Sequence, residues 1–172
     1  IGTSFGFDVR KSDRQIIHYT VENNKLSNNN IIAIFKDSRG NMWVGTREGL
    51  NVFNPEKQQF QSFRMEDGLP DNTILTIVED DQDHLWVTTP SGISRISVKG
   101  NSATGFNIHC KNYDETDGLQ GHEFNENAAL KTRSGELVMG GANGMNIFNP
   151  SSLGPGVDSA SIVLTDFQIF NK

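Results

Sequence analysis

A single cysteine, Cys110, rules out a disulfide within the chain and with it a disulfide-stapled scaffold. Its expected role is that of a small buried apolar residue. Nowhere does the sequence approach the roughly 18 uninterrupted apolar residues of a membrane-spanning helix, and residues 1–30 lack the graded regions of a signal peptide. Basic runs are missing too. The 15 Lys and Arg are dispersed among 21 Asp and Glu, and the resulting net charge of −6 disfavours nucleic acid and anionic membrane surfaces as partners. His18, His84, His109 and His122 fall at unrelated positions without metal-ligand spacing, so neither a metal nor a cofactor is expected.

What the sequence does have is a period. Leu26 recurs as Leu69, Ile31 as Ile74, Trp43 as Trp86 and Gly49 as Gly92, each 43 residues on, and Gly2 stands 43 before Gly45. Residues 1–19 read as the back part of one unit, with further units at 26–67, 69–116 and 117–150. The third is lengthened by an expected surface loop from Val98 to Gly105, and the fourth carries Val138 where two others have Trp. The chain opens in mid-pattern, as a segment of something longer would.

Each unit reads as short β-branched and aromatic runs separated by turn residues. Ile31 to Phe35 and Thr73 to Val78 are apolar at both parities, which predicts innermost strands covered on both faces. Met42–Thr46, Leu50–Phe53 and Phe60–Phe63 follow in the second unit, with counterparts in the third, and no helical period competes. Four strands in about 43 residues describe one blade, so the fold class is all-β: a partial β-propeller of about 3.5 four-stranded antiparallel blades. Gly45 and Gly49 bracket a turn and, with Gly140 and Gly144, are assigned structural roles, and Asp83 stands where Gly40 supplies a positive φ. Beyond Pro150 the repeat stops: 151–161 reads as a linker and Ile162 to Phe170 as one more strand. An unclosed stack leaves two apolar blade faces, which predicts self-association, for example of two copies into a seven-bladed pseudo-ring.

Leu26-x-x-Asn29-x-Ile31-x-x-Ile34-x-x-Asp37-x-x-Gly40-x-x-Trp43-Val44-Gly45-Thr46-x-x-Gly49-Leu50-x-x-Phe53 resembles the two-component regulator propeller repeat. Asp117-Gly118-Leu119, Glu123-Phe124-Asn125, Gly140-Gly141, Asn143-Gly144 and Phe148-Asn149-Pro150 resemble that family's closing blade, and Ile162 to Phe167 the lead into its Ig-like domain. The resemblance implies the C-terminal part of the second periplasmic sensor propeller of a hybrid histidine kinase from Bacteroidetes. It further implies an oligosaccharide ligand, homodimerisation of the parent, a membrane helix only in the parent, and control of transcription. No enzymatic activity is expected of this segment itself. The competing readings are a propeller lyase or glycosidase and a protein-interaction scaffold.

Several patterns invite chemistry. Gly2-Thr3-Ser4-Phe5-Gly6 fits a nucleophile elbow, yet the repeat places Arg47, Pro90 and Ala142 at the Ser4 position, which makes it a blade turn. Glu79 to Asp83 lacks the central Gly and distal Glu of a Ca²⁺ loop and reads as a solvated turn. Trp43 and Trp86 could stack on sugars, but their recurrence at one strand position assigns them to packing between blades. The fourth unit breaks pattern most: Phe124-Asn125-Glu126-Asn127-Ala128 replaces an apolar innermost strand. Either these polar groups form a ladder that registers the ring, or Asn125 and Asn127 contact ligand together with Arg47, His122 and Asn143.

Overall fold

A computed structural model describes residues 1–153. The expected strand at Ile162–Phe170, and most of the linker before it, lie outside the described residues. Four antiparallel sheets follow one another along the chain, each a meander in which sequence neighbours pair. The first comprises β1 (Gly2–Thr3), β2 (Gly6–Arg10) and β3 (Ile16–Tyr19). The second has β4 (Ile31–Lys36), β5 (Met42–Thr46), β6 (Gly49–Asn54) and β7 (Gln59–Phe63). The third has β8 (Thr76–Glu79), β9 (Leu85–Thr89), β10 (Gly92–Asn101) and β11 (Gly105–Tyr113), and the fourth β12 (Phe124–Lys131), β13 (Leu137–Gly141) and β14 (Gly144–Phe148). These are the expected blades, with one correction: only the second and third show four strands. The first begins at a blade's second strand, and the fourth has no outermost strand among the described residues.

Two further expectations are revised. Val98 to Gly105 is no loop, because β10 and β11 stay paired from Ile93–Tyr113 to Asn101–Gly105. The inserted residues lengthen a hairpin, and its Val98–Ile108 pair packs against the preceding blade, which keeps a Gly- and Ser-containing run in register. The innermost strands also differ in cover. All of β8 is buried, whereas Ile34 of β4 is 42% exposed because the first blade contributes no innermost strand beside it. Short helical turns join the blades: α1 (Val21–Asn24) and 3₁₀ turns at Met65–Asp67 and Glu115–Asp117, ending on the left-handed residues Lys25, Gly68 and Gly118.

The core lies between blades rather than within them. Phe7, Tyr19, Leu26, Val44 and Phe60 fill the first junction, Trp43, Leu50, Phe63, Ile74 and Phe106 are part of the second, and Trp86, Ile93, Phe124, Leu137 and Met139 of the third. At the second junction Gly45 is required by space: a Cβ there would sit 2.8 Å from Cγ2 of Ile74. Gly49 and Gly144 open β6 and β14 at φ of 145° and 128°, while Gly140 lies within β13 opposite Met145. Asp83 adopts φ 61°, the conformation Gly40 holds at 86°. Polar contacts lock the stack sideways. The Ser38 amide and hydroxyl both donate to the Glu79 carboxylate, and the Gln61 side chain exchanges hydrogen bonds with the Phe106 backbone at 2.7 and 2.9 Å.

Candidate functional site

Both tryptophans are structural. Each is at most 1% exposed, and each indole N–H donates to an aspartate six residues earlier: Trp43 to Asp37 at 2.9 Å and Trp86 to Asp80 at 2.8 Å. Asp80 also accepts from the Gln82 and His84 amides. Burial works against its charge, but the hydrogen bonds from Trp86, His84 and Gln82 and the His84 ring outweigh it and hold the carboxyl below its ordinary range. Glu79 to Asp83 is therefore a strand end and a braced hairpin turn. Ser4 sits exposed in the β1–β2 turn, where the Thr3 hydroxyl donates to the Gly6 carbonyl and no helix follows.

The five candidate ligand residues gather at one end of the blades, where the innermost strands begin and the second and third strands turn. Arg47, in the β5–β6 turn, reaches Glu126 of β12 with Nη2 2.7 Å from Oε1, both side chains about half exposed. Asn125 and Asn127 flank that glutamate on a bulge. The β12–β13 register breaks between Phe124–Gly141 and Ala129–Met139, Asn127 adopts φ 55°, and its amide donates to the Leu75 carbonyl of the third blade. The bulge turns Asn125, Glu126 and Asn127 outwards, and neither asparagine side chain hydrogen-bonds to a described residue. A buried polar ladder is thus not what this stretch forms.

His122 and Asn143 lie on the adjoining rim. His122 Nδ1 is 3.2 Å from Glu115 Oε1, and its carbonyl accepts from the Gly92 amide, pinning the fourth blade to the third. Asn143 is held through its backbone by Gln120. In the first three blades Thr3, Thr46 and Thr89 cap this turn, accepting from the amide two residues on and donating to the carbonyl three on. The fourth blade has Gly141 instead, and the Gln120 side chain occupies the space a Cβ would need. Gln120 Oε1 accepts from the Asn143 amide and Nε2 donates to the Glu123 carbonyl. Glu115 and Gln120 belong to this rim although the sequence reading assigned them no role, and Glu126, read there only as part of the polar run, pairs with Arg47. The signal for Gln120 was present in the loss of threonine at position 141.

The rim offers amides, a guanidinium–carboxylate pair and an imidazole–carboxylate pair, a set that binds polar ligands by hydrogen bonding. The carboxyls whose pKa departs from the ordinary range move down; hydrogen bonds from the Thr116 hydroxyl and amide lower Asp114, and those from its own backbone and Thr20 lower Glu22.

Residues 25–48 and 68–91 each match the two-component regulator propeller. The chain is similar to Histidine kinase P4 of Formosa agariphila, at 29% identity across 86% of this chain and 14% of that protein. Among solved structures it is similar to the extracellular domain of a B. thetaiotaomicron protein described as the hybrid two-component system BT4673, with TM-score 0.53, 14% identity, and cover of 85% of this chain and 25% of that one. The corresponding domain of BT3049 from the same organism gives TM-score 0.48 at 23% identity, over 83% and 25%. The chain thus spans a seventh of the curated relative and a quarter of each solved domain.

Proposed function

We propose that this run of two-component regulator propeller repeats is part of a ligand-sensing region of a hybrid two-component histidine kinase, and that its rim takes an oligosaccharide. The repeat matches at 25–48 and 68–91 and the similarity to a histidine kinase support the sensor assignment. The bulge in β12 carries the ligand assignment: a blade's innermost strand, apolar in its neighbours, here exposes two unengaged amides beside the Arg47–Glu126 pair. Hydroxyl-rich ligands are recognised by such convergent donors and acceptors. The similarity to extracellular domains supports a location outside the cytoplasm, periplasmic in a Gram-negative cell, and among the described residues no helix is long and apolar enough to cross a membrane. Signalling would then proceed by population shift, ligand favouring one arrangement of paired sensor chains.

The test is calorimetric titration with a panel of oligosaccharides, with products followed in the same samples. Binding without turnover is expected, and release of product would instead mark a lyase or glycosidase. Replacing Asn125 and Asn127 together by Ala should weaken binding about tenfold or more, one lost hydrogen bond being worth ~1 kcal/mol. Thermal stability should fall only modestly, because both side chains are exposed and the main cost is that of Ala at the left-handed φ of 55° held by Asn127, about 1 kcal/mol. Wild-type affinity in the folded double variant would remove the rim as the site.

A further inference from the structure

The rim lies on an electrostatically one-sided face. The three turns that join the blades at this end carry Glu22, Glu66, Asp67, Glu115 and Asp117 and no basic residue. Close contacts already occupy the acidic groups nearest the site. Asp67 and Asp117 each accept the amide three residues before them, at 2.8 and 3.0 Å, and Asp71 accepts from the Thr73 amide and the Ser91 hydroxyl. Glu115 lies against His122. Cations are fewer: Arg64 donates through Nε to the Glu48 carbonyl, and Lys25 lines a groove with Lys57 and Gln59 on the outer side of its blade. Arg47 is the guanidinium beside the Asn125 and Asn127 amides, and its charge is met by Glu126 at 2.7 Å.

This arrangement treats three kinds of sugar differently. A uronate could pair with Arg47 only by displacing Glu126, which is tethered beside it, and would then lie next to a freed carboxylate within the field of the whole face. An ammonium sugar would find carboxylates that already accept protein donors. A hydroxyl meets neither cost: it donates to Glu126 or to the asparagine side-chain oxygens, and accepts from their amide nitrogens or from the N–H groups of Arg47 that Glu126 leaves open. Given the oligosaccharide reading of the rim, on which this inference rests, we propose that the site selects uncharged sugars and rejects uronates. Glu126 sets that selection by cancelling the charge of Arg47.

Matched probes test this on the full 172-residue chain. Cellotriose and mannotriose are titrated alongside the same trimers oxidised at C6 to uronates, and alongside the glucosamine trimer. At least one neutral trimer should bind, with its uronate weaker by about tenfold or more at ~0.01 M salt, where the Debye length is ~30 Å, and by less at ~1 M, where it is ~3 Å. Neutral affinity should not follow salt. Glu126→Gln keeps an acceptor for Arg47 but removes the charge. It should raise uronate affinity about tenfold and leave neutral affinity and the unfolding midpoint nearly unchanged, because the pair is exposed. A uronate that binds wild type as tightly as its neutral partner, or a glucosamine trimer that binds more tightly than cellotriose, would overturn the selection and leave the oligosaccharide reading in place. So would equal effects of Glu126→Gln on neutral and uronate probes. Silence from every probe would remove the reading and the selection together.

Discussion

Two residue pairs change together between blades, and each joint change removes both sides of one interaction. Where Trp43 and Trp86 become Val138, the aspartate six residues earlier becomes Thr132, whose hydroxyl still accepts from the Glu136 amide as Asp37 accepts from that of Asn41. No indole N–H remains to be satisfied, so no carboxylate is needed. Asn51 accepts from the Ser27 amide and Asn146 from that of Gln120, but in the third blade the donor is replaced by Pro70 and the acceptor by Ser94. Proline has no N–H to give. The aspartate–tryptophan pair should show this coupling directly. Asp80→Thr alone leaves a buried indole N–H unpaired, at about 1–3 kcal/mol, and Trp86→Val alone opens a cavity and strands a buried carboxylate, at roughly 3–5 kcal/mol. The double variant should cost less than the sum by about 1–2 kcal/mol in urea unfolding. Strict additivity would mean that the 2.8 Å contact contributes nothing to the stability of the blade.

At the scale of strands, the 43-residue period made the blades legible because turn chemistry repeats with them: a left-handed residue at 40, 83 and 135, and a capped turn at 46–49 and 89–92. What escaped was decided across strands. The polar run Ser97 to Gly100 is held in a hairpin by partners from Ile108 to His109 and from Phe106 to Asn107, which local propensity cannot see. The β12 bulge escaped for the same reason, since its extra residue is stabilised by Leu75 of another blade. Of the rim, Asn125, Glu126 and Asn127 stood out in the sequence as the polar run that breaks the repeat, whereas the contacts of Glu126, Glu115 and Gln120 are made with partners that the repeat does not single out. Close approach between elements gives a prediction of its own. Gly45→Ala would drive a Cβ into Ile74, within 3.1 Å of its backbone oxygen as well, and overpacking of this kind costs about 1–3 kcal/mol. Gly40→Ala has open space and should lose stability only through its positive φ. Equal losses in chemical denaturation for the two would show that the blades yield at this seam.

For the molecule as a whole, the face that each blade offers to the next is the quantity that decides its behaviour. In the second blade the cross-strand row Phe35–Trp43–Val52 is covered by the third. The corresponding row of the fourth blade is Leu130–Val138–Ile147, with Leu130 53% and Ile147 58% exposed and Met145 beside them at 62%. Nothing among the described residues covers it. The other end of the stack is mixed: Ile16 is exposed there, but the Asp8–His18 pair and Arg10 lie on the same strands. Apolar patches of roughly 300–600 Å² commonly find partners, so the 172-residue chain by itself should associate through the fourth blade. Its weight-average mass by light scattering should rise from about one chain towards two over a dilution series read in reverse. Contact through Leu130 and Ile147 is apolar and should persist in 1 M salt, where the Debye length is ~3 Å; contact through the charged first blade should weaken. Leu130→Glu with Ile147→Lys should return the chain to a monomer while leaving its unfolding midpoint nearly unchanged, because both side chains are exposed in the single chain. A wild-type chain that stays monomeric at every concentration would mean that the Leu130–Val138–Ile147 row does not drive association.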